Sequence, residues 1–209
     1  MRRILGLIVG VLFMGSVAAQ QVAPDVFVKG VISDVINIAG NDREIQNGDT
    51  AKAIQLVESK VLPAFDFKRM TALAVGKAWR GATADQQSSL INEFRRMMVN
   101  TYSNALTVFR NQTIKFKPVK VVGDETDVTV RTEIRQPGAR STSIDYALEK
   151  QDASWKVYDV TVAGISLVTS FRDQFAEEVH NGGIDGLIKT LQAKNSARAA
   201  VIAKPQPKS

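Results

Sequence analysis

The sequence predicts an α+β fold, with a four-stranded antiparallel meander packed against several helices. Three observations predict it. Apolar residues recur at helical spacing from about residue 25 to residue 110. The period then changes to strict alternation over residues 112–163, with short connections rich in Gly, Pro and Asp. Helical spacing returns from Ser166 to Leu191. Helices, then strands joined by tight turns, then helices again separate the two kinds of element along the chain, as an α+β domain does. The 209 residues, 44% of them hydrophobic, suffice for one domain with a sizeable core.

The elements follow in order. Residues 1–19 place Arg2 and Arg3 before an apolar run from Ile4 to Phe13, which ends in Val17-Ala18-Ala19. A basic start, a short apolar run and small residues are the layout of a secretory signal peptide. Cleavage is expected after Ala19, with Ala18 as the alternative, and the run is short for a bilayer span. The mature domain is then 20–194. A first helix carries Phe27, Val31, Ile32, Val35 and Ile38 or Ala39, and Asn41-Asp42 ends it. A second runs from Thr50 to Leu62 and stops at Pro63, since proline disfavours helical backbone in the residue before it. Asp66 can cap a third, carrying Phe67, Met70 and Leu73, which Gly76 is placed to end. Thr83 and Gln86 fit a capping box. They open the longest helix, expected to reach about Arg110 with Leu90, Phe94, Met97, Met98 and Phe109 in its stripe.

Strands are expected near 112–122, 126–136, 141–150 and 154–163. In the second, Val128, Val130, Thr132 and Ile134 share one face; in the third, Ile144, Tyr146 and Leu148 do. The sheet thus has one apolar and one wet face. The stretch from Trp155 to Phe175 passes from strand to helix: Gly164 breaks the extended pattern, Ser166 can cap, and Val168, Phe171 and Phe175 fall on one helical face. That helix is expected to fold back over the sheet. It ends at about His180 before Gly182-Gly183, and a last helix uses Ile184, Leu187, Ile188 and Leu191. Residues 195–209, with Pro205 and Pro207, read as a disordered tail.

Little catalytic chemistry is visible. The chain has no cysteine and one histidine, His180, so neither a disulfide nor a transition-metal site is expected. No phosphate-binding glycine loop or nucleophile elbow is present. Asp66, Asp145 and Asp159 lie in or beside apolar segments, where burial can raise a carboxyl pKa. A helix cap and sheet or loop hydrogen bonds are the plainer readings. Without Arg2 and Arg3 the balance is 25 basic against 21 acidic residues, a mild excess that does not argue for nucleic acid. Lys115, Lys117, Arg131, Arg135 and Arg140 make the wet sheet face basic, either as a solvated surface or as a dock for head groups or an acidic partner. The Phe and Met residues of the long helix suit an irregular apolar ligand. A packed core would use the same residues, and pattern alone reads them first as core.

A resemblance adds to this. The segment Leu62-Pro63-Ala64-Phe65-Asp66-Phe67, followed by Met70, Gly76, Trp79-Arg80, Glu93-Phe94 and Thr101-Tyr102, resembles the MlaC family of periplasmic phospholipid-binding proteins, also called the toluene-tolerance family. So do Val157-Tyr158-Asp159-Val160, Gly164-Ile165-Ser166-Leu167, Phe171-Arg172-Asp173-Gln174-Phe175 and Gly183-Ile184-Asp185-Gly186-Leu187-Ile188. The likeness covers roughly residues 25–193. Ala163 stands where the family often has an acidic residue, and Phe171 where it often has tyrosine. The resemblance implies a deep apolar cavity between helices and sheet, and a periplasmic phospholipid carrier that maintains outer-membrane lipid asymmetry. The implied partners are an outer-membrane lipoprotein–porin complex and an inner-membrane ABC transporter with an MCE-domain protein. It implies no catalytic residue and no cofactor, and a monomer is expected. The cavity-lining residues expected are Phe94, Met97, Met98 and Phe109 from the long helix, Val128, Val130, Ile144, Tyr146, Leu148 and Val157 from the sheet, and Val168 and Phe171 beyond it. The rival from another class is a small periplasmic enzyme using Asp159 or Asp145 as general base.

Overall fold

The computed structural model describes residues 22–107, 112–119, 124–152 and 154–202. The expected signal peptide and Phe109 lie outside these residues. The N-terminal helices form where expected. Helix α1 spans Pro24–Asn41, with proline in its first turn. Asp42 ends α1 and caps the short α2 (Arg43–Gln46), accepting from the N–H groups of Glu44 and Ile45. Helix α3 (Thr50–Leu56) is capped by Asp49.

The helix expected to continue to Leu62 changes character. Val57–Val61 is a π-helical turn and Leu62–Ala64 a 3-10 turn. Pro63 explains the change: its ring clashes with the carbonyl four residues back and it supplies no N–H. The chain widens, and the Leu62 N–H reaches back to the Val57 carbonyl.

Helix α4 (Phe67–Val75) has Asp66 as its cap, with the Arg69 N–H 2.9 Å from Oδ1, and stops at Gly76, whose φ of 67° suits glycine. A 3-10 segment, Gly76–Gly81, carries Trp79. Helix α5 (Ala84–Tyr102) opens with the complete Thr83–Gln86 capping box. It turns 3-10 at Ser103–Leu106, short of the expected end.

The sheet has five strands in sequence order, all antiparallel: β1 (Thr113–Phe116), β2 (Asp127–Arg135), β3 (Thr142–Gln151), β4 (Ser154–Val162) and β5 (Ile165–Ser166). The fifth was not expected. It arises because Ala163 and Gly164 both have positive φ, 50° and 85°, which closes a two-residue hairpin between Val162 and Ile165. Val128, Val130 and Thr132 alternate with exposed neighbours, so the predicted faces are correct. A bulge near Ala147 and Leu148 gives Tyr158 no partner on β3.

A 3-10 turn (Thr169–Phe171) leads into α6 (Arg172–Ile202). The Thr169 N–H donates to Ser166 Oγ at 2.9 Å, so the expected cap holds the helical entry. Gly183, at φ 66° and ψ −170°, breaks α6 where two helices were expected. The C-terminal boundary differs from the expectation: α6 continues to Ile202, and Asn195, 1% exposed, donates to the Glu93 carbonyl and carboxylate at 2.9 and 2.7 Å. The run Ala197-Arg198-Ala199-Ala200 explains the helicity, since alanine and arginine favour helix without any apolar period.

Two cores result. Met70, Leu90, Phe94, Phe175, Leu187 and Leu191 join α4, α5 and α6. Val28 of α1 packs with Val128, Val130, Leu148, Trp155 and Val157 on the sheet, and the other half of α1 packs on α2 and α3 through Val35, Ala39, Ile45 and Leu56. The helix covering the sheet is therefore α1. Helix α5 and the first half of α6 pack on each other and on α4, which corrects the expectation that they fold over the sheet.

Candidate functional site

Helix α1 is rich in apolar side chains on more than one face. Val28 reaches the sheet core, while Phe27, Val31, Ile32, Val35, Ile36 and Ala39 border a space that the sheet does not fill. Opposite them stand Tyr146 of β3, Val157 of β4 and Ile114 of β1. Val61 from the π-helical turn, Ala64, Phe65 and Leu106 complete the wall. The half-open cavity they line is about 220 Å³. A helix widened to π geometry at a cavity wall fits the frequent placing of such turns at functional sites.

Its chemistry is simple. Among the described residues, Tyr146 is the one wall residue with a polar side-chain atom. Thr132 lies near its hydroxyl, and the Thr132 Oγ1 donates to the Ile144 carbonyl at 3.0 Å. Burial pushes the Tyr146 phenol up from its ordinary pKa. The wall thus presents hydrocarbon and one neutral phenol, an environment for an apolar ligand and a costly one for a charge.

Of the residues expected to line a cavity, Tyr146 and Val157 do. Val128, Val130 and Leu148 are buried beside it in the sheet–α1 core, and Ile144 is half-buried on the inner sheet face off the wall. Phe94, Met98 and Val168 are buried in the helical core, with Met97 and Phe171 packed against them. Phe94 meets Phe171 and Phe175 edge-on, each at 5.6 Å between centroids. The expected gap between the long helix and the sheet is therefore not where this cavity lies. Sequence reasoning recognised the α1 stripe but gave it no role. The available signal was its width: Val31 with Ile32, and Val35 with Ile36, make an apolar surface broader than one core contact needs.

The carboxylates have structural partners. Asp159 accepts from the Val160 N–H at 2.8 Å and from the Ser166 hydroxyl at 2.6 Å, fixing the entry to the last helix. Asp145 lies 3.7 Å from Arg131. Neither borders the cavity. Asp127 and Glu149 face each other in register, and Arg69 bridges both carboxylates while its guanidinium sits 3.4 Å from the centre of the Tyr158 ring. Burial and the hydrogen bond to Asp127 push the Tyr158 phenol up to about 12. Burial acts to raise the Asp66 carboxyl, but the Arg69 N–H and the Gln151 amide outweigh it and hold the group below the usual carboxylate range. The segment Leu62–Phe67 is stitched to β4, with the Asp66 N–H 2.8 Å from the Val157 carbonyl. Two stretches that carried the sequence resemblance thus meet at the cavity floor. Among the described residues no cluster could hold a metal ion, and no helix is long and apolar enough to cross a membrane.

Fold and site together define an α+β binding protein with an apolar cavity roofed by its first helix. The chain belongs to the MlaC family: the family model described as MlaC protein matches residues 29–193. It is 26% identical over 144 residues to the intermembrane phospholipid transport system binding protein MlaC of Haemophilus influenzae, covering 68% of this chain and 67% of that one. It is 28% identical over 179 residues to the toluene tolerance protein ttg2D of Pseudomonas putida, covering 84% and 80%. Among solved structures it is similar to the phospholipid-binding protein of Ralstonia solanacearum in complex with a phospholipid, with a TM-score of 0.79 and 35% identity over 85% of this chain and 99% of that one.

Proposed function

We propose that this protein is a phospholipid carrier that holds acyl chain in the cavity beneath α1 and performs no chemistry on it. The observation that carries the reading is the apolar wall, in a chain whose structural relative was solved with a phospholipid. The structural engagement of Asp145 and Asp159, away from the cavity, favours carriage over the acid–base enzyme.

The energetics suit transfer. Two acyl chains of about thirty methylenes together amount to about 24 kcal/mol of gross transfer from water. That exceeds the usual ceiling of non-covalent affinity. A lipid leaves a bilayer, however, and a cavity of similar apolarity makes the exchange nearly neutral. Contacts with partners then set its direction. The space of about 220 Å³ compares with the roughly 150 Å³ that accepts a benzene ring, so a whole diacyl lipid enters as α1 or the π-helical turn gives way. In this reading the chain is exported to the periplasm and shuttles between the outer-membrane lipoprotein–porin complex and the inner-membrane transporter. Native mass spectrometry of the purified mature protein tests it: a phospholipid mass adduct, lost after delipidation, is expected. Lipid-free protein that also fails to take up phospholipid from vesicles overturns it.

A further inference from the structure

The strand register places two turns at one end of the sheet. The turn from Gln136 to Ser141 joins β2 to β3, and Ala163-Gly164 joins β4 to β5. They are neighbours: the Ala163 N–H donates to the Ser143 carbonyl at 2.9 Å, two residues past the first turn. The second turn carries Ile165, 65% exposed and the most exposed large hydrophobic residue among those described. Arg135 precedes the first and Arg140 lies within it, both exposed.

The charge is polarised along the strands. Lys115, Lys117, Arg131, Arg135 and Arg140 lie on the outer face or at this end, against Glu133 and Asp145, which pair with Arg135 and Arg131. Asp127 and Glu149 lie at the far end bridged by Arg69, with Asp124, Glu125 and Asp152 in its turns and Lys150 and Lys156 beside them, so acids outnumber bases there. An apolar tip beside Arg140, which has no ion-pair partner among the described residues, and Arg135, shared with Glu133, is a composition that binds an anionic bilayer surface: the side chain enters the head-group boundary and the cations meet lipid phosphate.

We infer that the sheet end formed by Arg135, Arg140 and Ile165 is a contact surface for anionic lipid bilayers. Ile114, opposite Ile134 in the register, carries the cavity wall toward this same end. Use of the contact in lipid exchange rests on the carrier reading, whereas the contact itself is measurable without it. The test is sedimentation of the full-length mature protein with phosphatidylcholine vesicles, with and without phosphatidylglycerol. Bound lipid in each protein is quantified in parallel by extraction. Binding is expected only with phosphatidylglycerol and should weaken as salt rises. Arg135→Gln with Arg140→Gln should lower it about tenfold or more. Ile165→Ser should lower it several-fold while leaving the salt dependence intact. Lys150→Gln with Lys156→Gln, at the other end, should leave it unchanged. Absence of binding to anionic vesicles, or binding that the Arg135, Arg140 and Ile165 variants leave unaltered, overturns the inference and assigns this end to another kind of partner. Loss of bound phospholipid in all proteins with vesicle binding intact sinks the carrier reading alone.

Discussion

Val31→Trp separates a cavity from a core. Val31 borders the space beneath α1 and is only half-buried. An indole buries about 150–250 Å², which at 25 cal/mol per Å² is about 4–6 kcal/mol of gross transfer. The valine already supplies about 1.5–3 kcal/mol. The surplus of about 1–4.5 kcal/mol offsets side-chain ordering and local adjustment, because a space of about 220 Å³ exceeds the roughly 150 Å³ that accepts a benzene ring. The delipidated variant should therefore lie within about 1 kcal/mol of the parent in a denaturant melt. Its bound phospholipid should fall sharply, since the ring occupies the space of the chain. Val130→Trp is the control. Val130 is 0% exposed and packed with Val28 and Leu148, so overpacking should cost about 1–3 kcal/mol or more. Extraction and melt on the same preparations give both numbers. A Val31→Trp protein that loses several kcal/mol and keeps its full lipid complement would refute the placing of the ligand beneath α1.

Other outcomes follow from single features. Phe94→Ala should cost about 3–5 kcal/mol without changing lipid stoichiometry in the folded fraction, because Phe94 belongs to the helical core; a selective loss of lipid would contradict this. Ala163→Asn should stabilise by about 1 kcal/mol, relieving an alanine held at φ 50°, and an unchanged or lower melting point would count against the hairpin geometry. Asp66 titrates below its unfolded value of 3.8, so its stabilisation is present above that value and is lost as pH falls through the folded one. Asp66→Asn should thus be less stable than the parent at neutral pH, with the gap closing below about pH 4; a gap constant with pH would show that the charge plays no part.

Local chemistry was legible in the sequence. The Asp66 and Thr83 caps, the stop at Gly76 and the break at Gly183 depend on one or a few neighbouring residues, and each stands where it was read. The strand faces were legible because alternation fixes them. The choice of which helix covers the sheet was not. Helices α1 and α5 both carry apolar stripes, and only the match between the Phe94 stripe and Phe171, Phe175 and Leu187, some eighty residues away in sequence, assigns α5 elsewhere. The π-helical turn was hidden because Pro63 signals an end without saying how the preceding turn relaxes. Residues 195–202 were misread because helix formed by alanine propensity and anchored by Asn195 leaves no apolar period; the rest of the expected tail lies outside the described residues.

The helical core is discontinuous along the chain. Helices α4 and α5 supply one side of it and α6 the other, with the whole sheet inserted between them. Leu90 and Phe94 emerge from synthesis long before Leu187 and Leu191, the residues that cover them. Until those last residues are free, α4 and α5 expose an apolar face with nothing to close it. Folding of this half must wait for loop closure across the sheet, which ties its rate to long-range encounter rather than to helix formation. This half of a nascent chain therefore stays unclosed until Leu187 and Leu191 have been made. The same delay leaves Phe94 and its neighbours open to chaperones or to aggregation over that interval.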